Sequence, residues 1–299
     1  MLRRALFTLL AGLALAGAAL AAPLQVQDER GKSIAFDKPP ARIVTLIPSL
    51  TELVCALGAC ERLVGVDNYS NHPAAVKKLP RLGGIDDTSV EAIVALRPDV
   101  VLLSPASRLH ERLETLGLKV VLLETRSHAD LRRVLLELGR LLGVAEPLKV
   151  WQRIDSAVDA AAASVPPAMR GLRVYYEVDA APYAAGEVSF IGETLARMGL
   201  RNIVGRELGA FPKLNPEYVV RADPQIIMLA QRNAVSLDKR PGWPAISALR
   251  ERRLCVFTPD EAEMMGRPGP RLDETAQLIA RCLRELGARE AAAAGGAKR

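Results

Sequence analysis

The chain has 299 residues, 49% of them hydrophobic and 25% charged, with a formal net charge of +6. Its lysines and arginines are interspersed with acids, and aromatic residues make up only 4%, which excludes a basic, aromatic-studded nucleic-acid surface. A chain this long exceeds one core of about 100–150 residues, so two cores are expected.

Taken in order, Arg3 and Arg4 precede an apolar run from Ala5 to Leu20, and Ala19-Leu20-Ala21 has a small-x-small cleavage pattern. Residues 1–22 therefore read as a secretory leader. A retained membrane anchor, which needs about 20 apolar residues, is the competing reading. No cysteine near the cleavage point offers a lipid attachment site. Export to a bacterial periplasm is expected, with the remaining protein a monomer.

Residues 23–143 read as an N-terminal α/β lobe. Leu24 to Phe36 alternates apolar and polar residues around Glu29-Arg30-Gly31-Lys32, the pattern of a hairpin. Arg42 to Ile47 is the first core strand, and Ser49-Leu-Thr-Glu52 reads as a capping box opening a helix that Gly58 closes. Strands follow at Leu63 to Val66 and Lys119 to Leu123, with helices at Leu109 to Leu116 and Asp130 to Leu142. Residues 144–167 form a connecting helix. Pro147 suits its first turn, and Trp151, Ile154, Val158, Ala161 and Val165 make an apolar stripe at helical spacing.

A C-terminal α/β lobe spans residues 168–290. It has strands at Leu172 to Tyr176 and Leu254 to Phe257, and helices at Phe190 to Met198 and Leu272 to Leu286. Residues 291–299 are low in complexity and read as a disordered tail. The fold class expected is α/β, with two Rossmann-like lobes around mainly parallel sheets joined by one long α-helix.

An internal repeat supports that division. Residues 91–103 begin Glu91-Ala-Ile-Val94 and run through Pro98 to Leu103; residues 217–229 begin Glu217-Tyr-Val-Val220 and run through Pro224 to Leu229. In each, a short helix must stop before a proline that opens a buried, largely β-branched strand. Each copy presents a glutamate at the start of its helix. Thr88 and Glu91 could form a capping box, and Asn215-Pro216 could start the second helix.

Catalytic templates are absent: no phosphate-binding glycine loop and no nucleophile elbow occur. Three histidines, His72, His110 and His128, are scattered, and no metal-ligand spacing or cofactor motif is present. Cys55, Cys60, Cys255 and Cys282 are expected to pair locally within each lobe in an oxidising compartment, with buried thiols the alternative. A periplasmic enzyme would need a nucleophile or ligated metal among His72, Asp86, Asp87 and Glu263, and no spacing supplies one.

The segments Arg42-Ile-Val-Thr-Leu-Ile-Pro48-Ser-Leu-Thr-Glu52, Gly65-Val-Asp-Asn-Tyr69-Ser-Asn-His-Pro73, Gly83-Gly-Ile-Asp86 and Glu91 to Asp99 resemble the helical-backbone class of periplasmic binding proteins. That class serves ABC importers of vitamin B12, haem and ferric siderophores. Tyr69 to Pro73 and Pro182-Tyr183-Ala-Ala-Gly186 are most similar to its vitamin B12-binding members. The resemblance implies a non-enzymatic carrier that holds a corrinoid between its lobes and delivers it to an importer's membrane subunits. Glu91 and Glu217 correspond to the glutamates that dock on those subunits. Tyr69, Tyr183, Phe211, Glu263, Met264, Met265 and Arg267 fall where ligand contacts are expected. Ile85-Asp86-Asp87 replaces an expected tryptophan, so haem and ferric siderophores are alternative ligands.

Overall fold

The structure is a computed structural model that describes residues 24–180 and 182–296. The expected leader, residues 1–22, lies outside the described residues. Strands β1 (Leu24–Gln27) and β2 (Ser33–Phe36) form the antiparallel hairpin, Leu24 opposite Phe36. Four strands then make a parallel sheet: β3 (Ile43–Thr45), β4 (Leu63–Val66), β5 (Val100–Leu103) and β6 (Val120–Leu122), in the order β4-β3-β5-β6. Every residue of β3, β5 and β6 is buried, because helices cover both faces. Helices α1 (Pro48–Ala56) and α4 (His128–Leu142) pack on one face. Helices α2 (Val90–Ala95) and α3 (His110–Thr115) pack on the other.

The connector, α5 (Leu148–Ala163), lies inside the expected 144–167. After it come β7 (Arg173–Asp179), β8 (Tyr183–Ala184), α6 (Phe190–Arg197), β9 (Arg201–Asn202) and α7 (Pro216–Ala222). Then follow β10 (Ile226–Ala230), α8 (Gln231–Ala234), α9 (Ser247–Arg250), β11 (Leu254–Phe257), α10 (Pro259–Met265) and α11 (Leu272–Gly296). The second sheet runs β11-β10-β7-β8, with β9 also on β7, and only β8 is antiparallel. Helix α11 packs along α5. It continues through Ala291 to Gly296, so the expectation of a disordered tail from residue 291 is corrected over that stretch. Four consecutive alanines, the best helix formers, carry it on.

The two lobes share one core. Leu53 of α1, Leu135 of α4, Ile154 of α5, Met228 of β10 and Ile279 of α11 all belong to a single buried cluster. The repeat seen in the sequence is also repeated in backbone detail. Arg42 donates from its guanidinium to the carbonyls of Leu96 and Arg97 at the end of α2. Arg173 does the same to Ala222 and Asp223 at the end of α7. Arg97 and Asp223, each just before the repeat's proline, both take positive φ, 47° and 43°. A left-handed residue ends the helix at once, and it keeps the position before proline out of the right-handed helical region that proline disfavours.

Two capping expectations are corrected. Helix α1 has Ile47 at its N-cap without a side-chain bond, Pro48 starts it, and Glu52 is turned inward to other partners. Helix α2 is capped by Ser89, which accepts from the Ala92 amide, while the Thr88 hydroxyl donates to Gly84. Asn215 caps α7 by accepting from the Glu217 amide. Disulfides join Cys55 to Cys60 and Cys255 to Cys282.

Candidate functional site

In parallel α/β sheets, ligands bind beyond the carboxyl ends of the strands. Tyr69 lies in the loop leaving β4, and Tyr183 in the hairpin leaving β7. Phe211 follows β9 and packs against Phe190 at the start of α6, ring centres 6.0 Å apart. These three aromatics are 66%, 41% and 42% exposed, although aromatic rings ordinarily bury most of their surface. Each ring thus stands open in a loop or hairpin at the carboxyl edge of its own sheet.

The Tyr69 loop is held rigidly. Its amide donates to Asp67 (2.8 Å), and the hydroxyls of Thr45, Thr51 and Ser70 form a buried chain ending on the same carboxylate. Arg81 donates to the Asp67 and Ser70 carbonyls. The ring leans over Gly84: a Cβ built there would lie 3.3 Å from it. Residues Ile85 to Asp87 therefore border this side of the site.

From the C-terminal lobe, Arg267 reaches across. It donates to Glu52 (2.9 Å), the Asn71 side chain (2.8 Å) and the Tyr69 carbonyl (2.8 Å), and it pairs with Glu263. Arg271 makes a two-pronged contact with Glu52, at 2.9 and 2.7 Å. Burial lowers the Arg271 pKa, and the hydrogen bonds and charge of Glu52 more than reverse that. Glu52 itself is only 2% exposed. A buried carboxylate between two guanidiniums from the other lobe is a paired charge, since leaving it alone would cost several kcal/mol, roughly 3–5. Glu263 also accepts from Asn71 (2.9 Å). Further along the seam, Thr125 donates to the Pro268 carbonyl (2.8 Å), and the Phe190 amide to Arg126. This chain of contacts runs from Tyr69 to Phe211 and places both on one seam.

Several expectations change. Met264 and Met265 are buried in the shared core, 8% and 0% exposed, instead of standing open as the three aromatics do. Thr258 and Glu261 make a capping box that fixes the start of α10, and the register from there turns both methionines toward the core. Arg267 is not a free donor, because both of its terminal guanidinium nitrogens are already bonded. Glu52, Asn71 and Arg271 escaped sequence reasoning. The available signal was Glu52, the sole charged residue in the apolar helix Pro48–Ala56.

The repeat glutamates also lie at this edge. Ser89, capping α2, bonds to Leu82, which pairs with Val66 at the end of β4. Leu214, just before α7, bonds to the Pro182 carbonyl beside Tyr183. Both glutamates are exposed, and Glu91 pairs with Arg112 at 3.0 Å. Among the described residues no helix is long and apolar enough to cross a membrane, and no cluster of metal-ligating side chains occurs.

Two mainly parallel α/β lobes joined by a helix and meeting along a seam define the architecture of a substrate-binding protein. The family described as periplasmic binding protein matches residues 43–261, and the chain belongs to it. A substrate-binding lipoprotein of an ABC transporter from Bacillus subtilis, YvrC, uncharacterized, is 27% identical over 86% of this chain and 84% of its own length. The vitamin B12-binding protein of Pectobacterium atrosepticum is 25% identical, covering 83% of this chain and 90% of that one. The solved periplasmic haem-binding protein of Pseudomonas aeruginosa is 29% identical over 82% of this chain and 92% of its own, with a TM-score of 0.68. The fold is that of the class III periplasmic binding proteins, and the family's members are substrate-binding proteins of transport, not enzymes.

Proposed function

We propose that this chain captures a corrinoid in the periplasm and delivers it to the membrane subunits of an ABC importer. The observation that carries the reading is the exposed set Tyr69, Tyr183 and Phe211 at the carboxyl edges of the two sheets. A flat macrocycle with amide-bearing edges needs apolar walls with a few polar tips. An anionic ferric siderophore would need free cations, whereas Arg267 and Arg271 are already spent on Glu52. The vitamin B12-binding name of the Pectobacterium relative supports the same ligand class.

Haem is the second reading, favoured by the haem-binding name of the Pseudomonas relative and by the phenol of Tyr69, 66% exposed, which could serve as an axial ligand. Met264 and Met265 are too deeply packed for that role. Glu91 and Glu217 would dock on the importer, one from each lobe. The leader would be removed near residue 22 and the mature protein would act as a monomer. The deciding experiment is titration of the purified protein with cyanocobalamin and with haemin, followed by calorimetry and absorbance. Saturable cyanocobalamin binding supports the proposal, and a shifted haemin Soret band without cobalamin binding overturns it in favour of haem.

A further inference from the structure

The cluster beneath the Tyr69 loop has a charge balance of its own. Within direct contact it holds two cations, Arg267 and Arg271, and two anions, Glu52 and Glu263. The sum is zero. Glu274 acts on Arg271 only at longer range. His72 stands nearby, and burial together with the charge of Arg271 lowers its pKa below 6.5, so it adds no charge at neutral pH. The guanidinium of Arg267 touches the Tyr69 carbonyl directly, and Glu263 is half exposed at the lip of the seam. A ligand lying on the Tyr69 ring has this cluster on the carbonyl side of that residue and Asp87 on the Gly84 side, in a partly dry setting where a charge is felt more strongly than in water.

We propose that Glu52 determines the charge of the ligand this seam admits. By offsetting, together with Glu263, the charges of Arg267 and Arg271, it makes the seam prefer a macrocycle without net charge over an anionic one. Replacing it with the near-isosteric amide keeps one accepting oxygen, sets an NH2 in place of the other against the guanidinium N–H groups, and leaves the contact cluster at +1 (two arginines against Glu263). The inference rests on the reading that the ligand lies beside Tyr69, not on its being a corrinoid.

The test uses cyanocobalamin, which has no net charge, and haemin, whose two propionates make it anionic. Glu52→Gln should bind haemin about tenfold or more tightly than the unaltered protein, with no tightening toward cyanocobalamin. The double variant Glu52→Gln with Arg267→Gln restores neutrality and should return haemin binding to its starting level. Parallel weakening toward both ligands, with no reversal in the double variant, would make Glu52 a mere brace and sink the proposal. So would unchanged haemin binding. Should Glu52→Gln fail to give the native circular dichroism spectrum, Arg271→Gln shifts the charge the other way while keeping the Arg267–Glu52 pair. It should weaken haemin more than cyanocobalamin, and equal losses refute the charge role. If the unaltered protein prefers haemin, the corrinoid reading fails, while the haemin ratio between variant and parent still decides the role of Glu52.

Discussion

His128 shows what one side chain can carry at a seam. It opens α4 in the N-terminal lobe, yet its Nε2 lies 3.1 Å from the Phe190 carbonyl and 3.0 Å from the Thr194 hydroxyl, both on α6. Its amide donates to Glu193 at 2.6 Å. Burial lowers its pKa below 6.5; Glu193, the Phe190 carbonyl and Asp155 oppose that shift, and Arg197 adds to it. The unfolded chain keeps the ordinary value and so takes up the proton first. Stability is therefore level above pH 6.5 and falls as pH drops below it. The slope from this one residue is at most about 1.4 kcal/mol per pH unit. Thermal melts between about pH 5 and 8 should show that decline, and His128→Gln should flatten it. An equal decline in the variant would assign the effect to other groups. None of this was visible in the sequence, where His128 was one of three scattered histidines.

At the scale of elements, the junction of α4 with α5 is a close helix contact at which a single residue can be tested. A Cβ on Gly139 of α4 would sit 2.4 Å from the Cβ of Pro147, the N-cap of α5. Alanine would favour the helix by about 1 kcal/mol. The clash falls on a rigid proline ring, and overpacking of this kind costs about 1–3 kcal/mol. The clash wins, so Gly139→Ala should lower the midpoint of urea unfolding; a raised midpoint would mean that the helices part freely. The elements themselves were largely legible. Apolar periodicity and the prolines gave strands β3 to β6, the connector and the repeat to within a few residues. The capping assignments for α1 and α2 were not legible, because several polar residues near each start could fill the role and only packing chose among them.

For the whole molecule, the pseudo-repeat brings the starts of α2 and α7 to the same edge as the aromatic seam. Charge reversal at both, Glu91→Lys with Glu217→Lys, faces only the helix dipole and one exposed pair, roughly 0.3–1 kcal/mol each. The fold should survive it. Ligand affinity in solution should be unchanged while uptake by cells expressing the importer is lost. Undiminished uptake would return both residues to the role of helix-start acids. The shared core beneath α5 and α11 makes the lobes one packed body, with the seam fastened by Glu52, Thr125 and Phe190.

The sequence by itself determined the α/β class, the two lobes, the helical connector and the acidic pair at the repeated helix starts. Those features are written in local spacing: apolar period, proline stops and capping residues act within a few positions of one another. Tertiary structure alone decided that Met264 and Met265 belong to the core and that Arg267 is spent on Glu52. It also decided that Glu52 is a buried charge rather than a cap. Each depends on partners more than 190 residues away or on which face of a short helix meets its neighbour, and a linear pattern carries no direct record of either.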